Sequence, residues 1–124
     1  MSKKKIEGYI PKVMRVLDAT FGTEPIPSAY NGYISSFGAS IMQSGLLPTL
    51  ALFENTNAST KENKEYLSYL IVQILRDSDE DVSLLRYVLD QDDEQRLKQD
   101  ILDISVAIKL SIRTFKLDKG GKDE

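Results

Sequence analysis

The chain has 124 residues, a formal net charge of −3 and 41% hydrophobic residues, which fits a single globular domain over residues 1–124 with one core. It contains no cysteine and no histidine. Disulfides, thiol chemistry, the usual zinc sites and the commonest general acid–base group near neutral pH are therefore excluded. The net charge gives no general attraction to nucleic acid, so any such binding needs a local basic patch.

The N-terminal sequence MSKKK resembles the basic region of a signal peptide. The segment that follows contains Glu7, Pro11, Lys12 and Arg15, and it has no continuous apolar run. A signal peptide is therefore not expected. Because the chain also has no cysteine, the cytoplasm is the predicted compartment.

Apolar residues recur at helical spacing, which predicts an all-α protein, a single compact bundle of about six helices. The first helix carries Ile6, Ile10, Val13 and Leu17 on one face, and Pro11 within it predicts a kink or a new helix start. The tail from about residue 118 to 124 is expected to be frayed. The other helices are predicted from Ser28 to Ser44, from Pro48 to Phe53, from a capping box at Ser59 and Glu62 to about Arg76, from about Asp81 to Leu89, and from a cap at Asp92 to about Leu117.

No charged residue occurs from Pro25 through Phe53. Serine, asparagine, glutamine and threonine interrupt this run, so a membrane span is not expected. Gly45 is placed to end the second helix in a left-handed conformation, and Pro48 fits the first turn of the next helix. The run is therefore predicted to form a buried helical hairpin around Gly45, and Gly45→Val is expected to impair folding or assembly.

Two acidic motifs suggest chemistry, but neither is well supported. The spacing of Asp77, Asp79 and Asp81 matches the start of a calcium loop, yet the required glycine and glutamate are absent, so a solvated helix N-terminus is expected. Asp100 and Asp103 lie one helical turn apart and could serve as paired carboxylates of a hydrolase. Their face is expected to be solvated, so no catalytic, metal or cofactor residue is predicted. A hydrolase would lose activity in Asp100→Asn or Asp103→Asn.

The charges are segregated along the chain. Residues 1–15 have a net charge of +4, residues 77–103 of −7 and residues 104–124 of +2. Basic stripes on the first and last helices could follow a phosphate backbone, although an ordinary solvated face is the alternative. The candidate RNA-binding residues are Lys12, Arg15, Lys98, Lys109, Arg113 and Lys116.

The last helix is expected to carry two apolar stripes. The core stripe consists of Leu97, Ile101, Ile104, Ile108, Ile112 and Phe115. The second stripe must be covered by another helix or by a neighbouring subunit, which makes it the candidate subunit interface. It consists of Leu102, Val106, Leu110 and Leu117. Tyr30 and Tyr33 could stack on bases, but core or rim positions are expected for them.

The stretch IMQSGLLPTLALF, residues 41–53, resembles the signature of the small α-helical subunit of the Cmr complex, the type III-B CRISPR RNA-guided effector. The similarity lies in an aliphatic pair, a polar pair, Gly45-Leu46 and a short apolar helix that ends in an aromatic residue. A tyrosine-containing helix upstream also matches, through Tyr30 and Tyr33. The basic, aromatic close of the last helix matches through Lys109, Arg113 and Phe115.

The resemblance implies a non-catalytic subunit of an antiviral ribonucleoprotein. Its copies would stack along the filament beside the crRNA–target RNA duplex, help to hold target RNA, and contact other Cmr subunits. Cleavage would belong to those other subunits, and neither a membrane nor a small-molecule substrate is implied. The alternative is a helical protein–protein adaptor that makes no contact with nucleic acid.

Overall fold

The computed structural model describes residues 3–22, 26–27, 29–54, 65–78, 82–114 and 117–118. Within these residues the predicted all-α bundle of six helices is confirmed, together with one pair of two-residue parallel strands. The elements are α1 (Lys3–Phe21), β1 (Ile26–Pro27), α2 (Ala29–Ser44), α3 (Leu46–Phe53), α4 (Glu65–Arg76), α5 (Leu84–Leu89), α6 (Glu94–Ile112) and β2 (Leu117–Asp118). No described helix is both long and apolar enough to cross a membrane.

Helix α1 continues through Pro11 as one element, which rules out the second of the two alternatives, a new helix start at Pro11. Proline removes one backbone donor, which leaves the carbonyl of Glu7 without its intrahelical partner. Both Pro11 and Glu7 are exposed, whereas Val13 and Leu17 face the core. Water can therefore satisfy that carbonyl, and the proline is tolerated in the middle of the helix.

The first and last helices run parallel to each other. Lys5 of α1 forms an ion pair with Asp100 in the first half of α6. Further along both helices, the Thr114 hydroxyl lies 3.5 Å from the sulfur of Met14. The chain after each helix then continues into a strand, and β1 pairs with β2 in parallel. The N-terminal and C-terminal segments are thus packed side by side.

The buried helical hairpin around Gly45 is confirmed. Gly45 has a positive φ of 98°, and its ψ of 166° gives an extended form of that region, different from the left-handed helical cap that was predicted. Its N–H donates to the carbonyl of Ile41 at 3.0 Å. The hydroxyl of Thr49 donates to the Gly45 carbonyl at 2.9 Å and lies 2.7 Å from the Ser40 hydroxyl. These bonds hold α3 against α2.

Helices α5 and α6 begin later than the sequence suggests. Helix α5 starts at Leu84 rather than near Asp81, because the Ser83 hydroxyl accepts a bond from the Arg86 N–H and caps it. The cap of α6 is Asp93, whose carboxylate accepts from the Arg96 N–H, so the prediction of Asp92 is wrong. The capping box proposed for α4, at Ser59 and Glu62, lies outside the described residues.

Helix α6 ends at Ile112 and does not reach Leu117. Both the N–H and the hydroxyl of Thr114 donate to the Ser111 carbonyl, which tightens the last turn. Leu117 then lies in β2, opposite the buried Ile26 of β1. The prediction that Leu117 belongs to a stripe on the last helix is therefore wrong. Of the predicted frayed tail, Asp118 lies in β2 and residues 119–124 lie outside the described residues.

Glu54 links the end of α3 to the start of α5. Its Oε1 accepts a bond from the Ser83 hydroxyl at 2.6 Å, and its Oε2 accepts from the Leu85 N–H at 3.0 Å. The same carboxylate thus satisfies a backbone donor that a helix N-terminus leaves unpaired. These two bonds fix the start of α5, and with it the acidic segment that follows α5, relative to the hairpin.

Candidate nucleic-acid and subunit interface

The candidate residues of α6 share its solvent-facing side. At about 100° per residue, the cations and the second apolar stripe occupy neighbouring positions on this side. Arg113 is exposed, Leu110 is 41% exposed, and the others are half-buried. The core stripe points inward as predicted through Ile112, and Phe115 lies outside the described residues. The residues on the outward side are Lys98, Leu102, Val106, Lys109, Leu110 and Arg113.

An open groove runs between α2 and α6. Leu102 and Val106 line it from α6, and Met42 and Gly38 line it from α2. Its volume is about 470 Å³. A Cβ at Gly38 would lie 3.9 Å from the Ser105 hydroxyl, so the two helices approach closely at its floor. Among the described residues, no helix covers this part of the second apolar stripe.

Met42 is not among the predicted interface residues, yet its side chain is 68% exposed. Its neighbour Ile41 is fully buried, together with Phe37 and Ile34. The helical periodicity of α2 places Met42 about 100° from Ile41, away from that buried face. This offset is the sequence signal that could have identified Met42 as a surface methionine.

The cations of α1 form a set separate from those of α6. Arg15 is exposed and Lys12 is half-buried on α1. On α6, Lys109 lies on the side opposite Asp100, at about 100° per residue, whereas Asp100 contacts Lys5 of α1. By this periodicity Lys109 points away from the side of α6 that contacts α1.

Four of the candidate cations are described and lie outside the groove. No described carboxylate forms an ion pair with Lys12, Arg15, Lys109 or Arg113. Lys98 differs from them because it lines the groove beside apolar side chains. The sixth candidate, Lys116, lies outside the described residues.

Asp100 and Asp103 are buried against α1, so the expectation that their face is solvated is wrong. The side chain of Asp100 is 14% exposed and pairs with Lys5. Asp103 is fully buried, and its Oδ1 accepts a bond from the Gln99 amide at 3.2 Å. The hydrogen bond and charge of Asp100 raise the pKa of Lys5, and burial raises the pKa of Tyr9. These groups serve the packing of α1 on α6.

The raised pKa values predict a loss of stability at alkaline pH. The ordinary pKa of tyrosine is 10.0, and a raised folded-state pKa means that the unfolded chain releases its proton first. The free energy of unfolding should therefore be unaffected by Tyr9 below about pH 10 and fall as the pH rises further. Urea denaturation at pH 8 and pH 11 measures this fall, which we expect to be smaller in Tyr9→Phe. An identical fall in Tyr9→Phe and the wild type would contradict the assignment.

The two tyrosines of α2 occupy a core position (Tyr30) and a half-buried rim position (Tyr33), as predicted. Tyr30 is buried and packs edge-to-face on Tyr33, with ring centroids 5.8 Å apart, and on Phe21 at 6.3 Å. A buried ring cannot stack on a base, so Tyr30 is not part of a nucleic-acid surface.

Of the calcium-like motif, Asp79 and Asp81 lie outside the described residues, and the described part contains no group of carboxylates that could hold a metal ion.

Comparison with known proteins identifies the family. A family model described as CRISPR-associated protein (Cas_Cmr5) matches residues 3–109, which extend from the start of α1 into the last turns of α6. No curated protein and no solved structure matches significantly. The matched segment covers well over half of the chain and includes the hairpin at residues 41–53 that carries the resemblance. The chain therefore belongs to the Cas_Cmr5 family, a small subunit of type III-B CRISPR effectors.

Proposed function

We propose that this protein is a non-catalytic structural subunit of the Cmr ribonucleoprotein effector. Copies of it would stack along the filament and help to hold target RNA during antiviral defence, in the cytoplasm. The observation that carries the proposal is the family match over residues 3–109, which implies other Cmr subunits as partners. The ion pair of Asp100 with Lys5 and the burial of Asp103 support a non-catalytic role, because these interactions pack α1 on α6.

For RNA contact, the exposed half of α6 is the best-placed surface. Lys109 and Arg113 lie one helical turn apart on the outward side, and no described carboxylate neutralises them. Such a pair can contact successive phosphates, and Lys116 is kept as a further candidate from the sequence. Lys12 and Arg15 on α1 form a second basic surface, which we propose contacts RNA separately.

The RNA contact is tested by charge reversal in the assembled complex. We expect Lys109→Glu with Arg113→Glu to lower the affinity for target RNA about 10–100-fold, because two phosphate contacts become repulsive. The slope of log affinity against log salt should fall by about 2. Filter binding at several salt concentrations measures both quantities. The pair Lys12→Glu and Arg15→Glu tests the α1 surface in the same way.

The matched control is Arg86→Glu with Arg96→Glu. Both side chains are exposed and lie in the acidic segment, and their reversal changes the net charge by the same amount. We expect this pair to leave the salt slope near its wild-type value. If it weakens RNA binding as much as the Lys109 and Arg113 pair does, the effect reflects net charge alone and the proposed RNA surface is wrong.

The second candidate function is a helical adaptor without nucleic-acid contact. The open groove between α2 and α6 favours it, because an uncovered apolar groove fits a protein partner better than a phosphate backbone. Purification of the native complex distinguishes the two functions. Other Cmr subunits together with a bound small RNA support the effector role, whereas protein partners without RNA support the adaptor.

A further inference from the structure

Two exposed apolar sites on this chain have complementary surroundings. The first is the groove between α2 and α6, lined by Ala39, Met42, Leu102 and Val106. Lys98 is the only charged residue among its described lining residues. The groove therefore presents an apolar surface with a single positive charge beside it.

The second site is the end of α5. Leu89 is 61% exposed, and the segment that follows it carries four exposed carboxylates, at Asp90, Asp92, Asp93 and Glu94. We call Leu89 and these four residues the acidic knob. The Glu54 bonds to the start of α5 hold this element in place. The knob is thus an exposed apolar side chain followed by four exposed carboxylates, at the end of a helix whose start is held by Glu54.

We propose that the acidic knob of one copy docks in the groove of the next copy. Leu89 would enter beside Met42 and Val106, and the carboxylates of the knob would surround Lys98. This inference rests on the proposed stacking of copies and names the surfaces that stack. It also separates Lys98 from the RNA-contacting cations, because a lysine that faces four carboxylates cannot also contact phosphate.

The positions of the two sites determine the kind of assembly. Asp92 and Asp93 of the knob line a polar cleft together with Arg96 and Asp100. At about 100° per residue, Asp100 lies on the other side of α6 from the groove residue Leu102. One copy therefore presents the knob and the groove on different sides. Contacts between unlike surfaces produce an open array or a ring, whereas a symmetric pair would use the same surface twice.

The absence of cysteine from the sequence makes a specific cross-linking test possible. Leu89→Cys protein is mixed with Met42→Cys protein of a different size, both as isolated chains and within assembled complexes, and oxidised. Because each variant chain has one thiol, a disulfide between isolated chains can form only between copies. We expect the mixed disulfide to exceed either homodimer at least tenfold. The matched control is Leu52→Cys, since Leu52 is 55% exposed on α3 and belongs to neither site.

Two results would overturn the inference. In one, Leu52→Cys forms a disulfide with Leu89→Cys as efficiently as Met42→Cys does. In the other, homodimers of Leu89→Cys dominate. A second measurement uses Leu89→Glu and Met42→Glu, each expected to sediment as a monomer and to form only a one-to-one dimer when mixed. Co-purification with other Cmr subunits is scored in parallel. If the wild type joins the complex but the Leu89→Cys and Met42→Cys chains form no mixed disulfide within it, this interface is wrong while the proposed function stands. If it does not join, the proposed function itself fails.

Discussion

Replacing Phe37 by alanine is expected to lower the free energy of unfolding by about 3–5 kcal/mol, the usual cost of removing a buried aromatic ring. Phe37 is fully buried on α2, and its ring packs edge-to-face on Phe53 at the end of α3, with centroids 5.1 Å apart. The substitution would remove the main aromatic contact between the two helices of the hairpin. Urea denaturation followed by circular dichroism measures the change.

Two further variants make the Phe37 result interpretable. Ser36→Ala changes the exposed neighbour in the same helix and should alter stability by less than about 0.5 kcal/mol. Phe37→Leu keeps most of the apolar volume, so its free energy of unfolding should lie between those of Phe37→Ala and Ser36→Ala. It gives a measurable value even if Phe37→Ala does not fold. Similar stability of Phe37→Ala and Ser36→Ala would show that the hairpin does not depend on this ring.

Gly45→Ala is expected to lower the free energy of unfolding by about 1–3 kcal/mol, because the backbone there adopts a conformation that is essentially restricted to glycine. Its φ is 98° and its ψ is 166°. The added Cβ would meet only the Cδ of Pro48, at an ordinary contact distance of 3.7 Å. The expected loss therefore comes from backbone strain and not from a collision. Gly45→Val should lower the free energy of unfolding further, since a β-branched residue tolerates a positive φ less well than alanine does.

The matched control for Gly45 is Gly32→Ala. Gly32 lies within α2, and a Cβ there would meet no atom within 4 Å. Alanine favours a helix over glycine by about 1 kcal/mol, so this substitution should be neutral or stabilising. We expect the free energy of unfolding to fall in Gly45→Ala and to stay the same or rise in Gly32→Ala, measured by the same urea denaturation. A loss of equal size at both would mean that the conformation of Gly45 is not what constrains the turn.

The features that the sequence predicted well are those decided by neighbouring residues. Gly45 and Pro48 end one helix and begin the next through local backbone preferences, so the hairpin is readable from the sequence. The core stripe of α6 is equally local, because its periodicity requires only that one face be buried. The family resemblance at residues 41–53 depends on the same short stretch, and the family match confirms it.

The features that the sequence did not predict depend on distant partners. Helix α6 stops at Ile112, and Leu117 pairs with Ile26, which is far away in the chain. A strand of two residues has too few positions for an alternating pattern to be recognised. Asp103 looks like a surface residue in the sequence, but α1 covers it and Gln99 bonds its carboxylate. The groove likewise exists only because α2 and α6 pack together.

The parallel arrangement of α1 and α6 affects how the protein is made. Lys5 and Asp100 are separated by 95 positions, and Met14 and Thr114 by 100. A helix that buries its apolar face against so distant a partner cannot finish folding until that partner has left the ribosome. During synthesis, α1 can pack on α4 before α6 emerges, but its contacts with α6 must wait. Among the described helices α6 is the last to emerge, so the face that we propose for contacts between copies is completed late in synthesis.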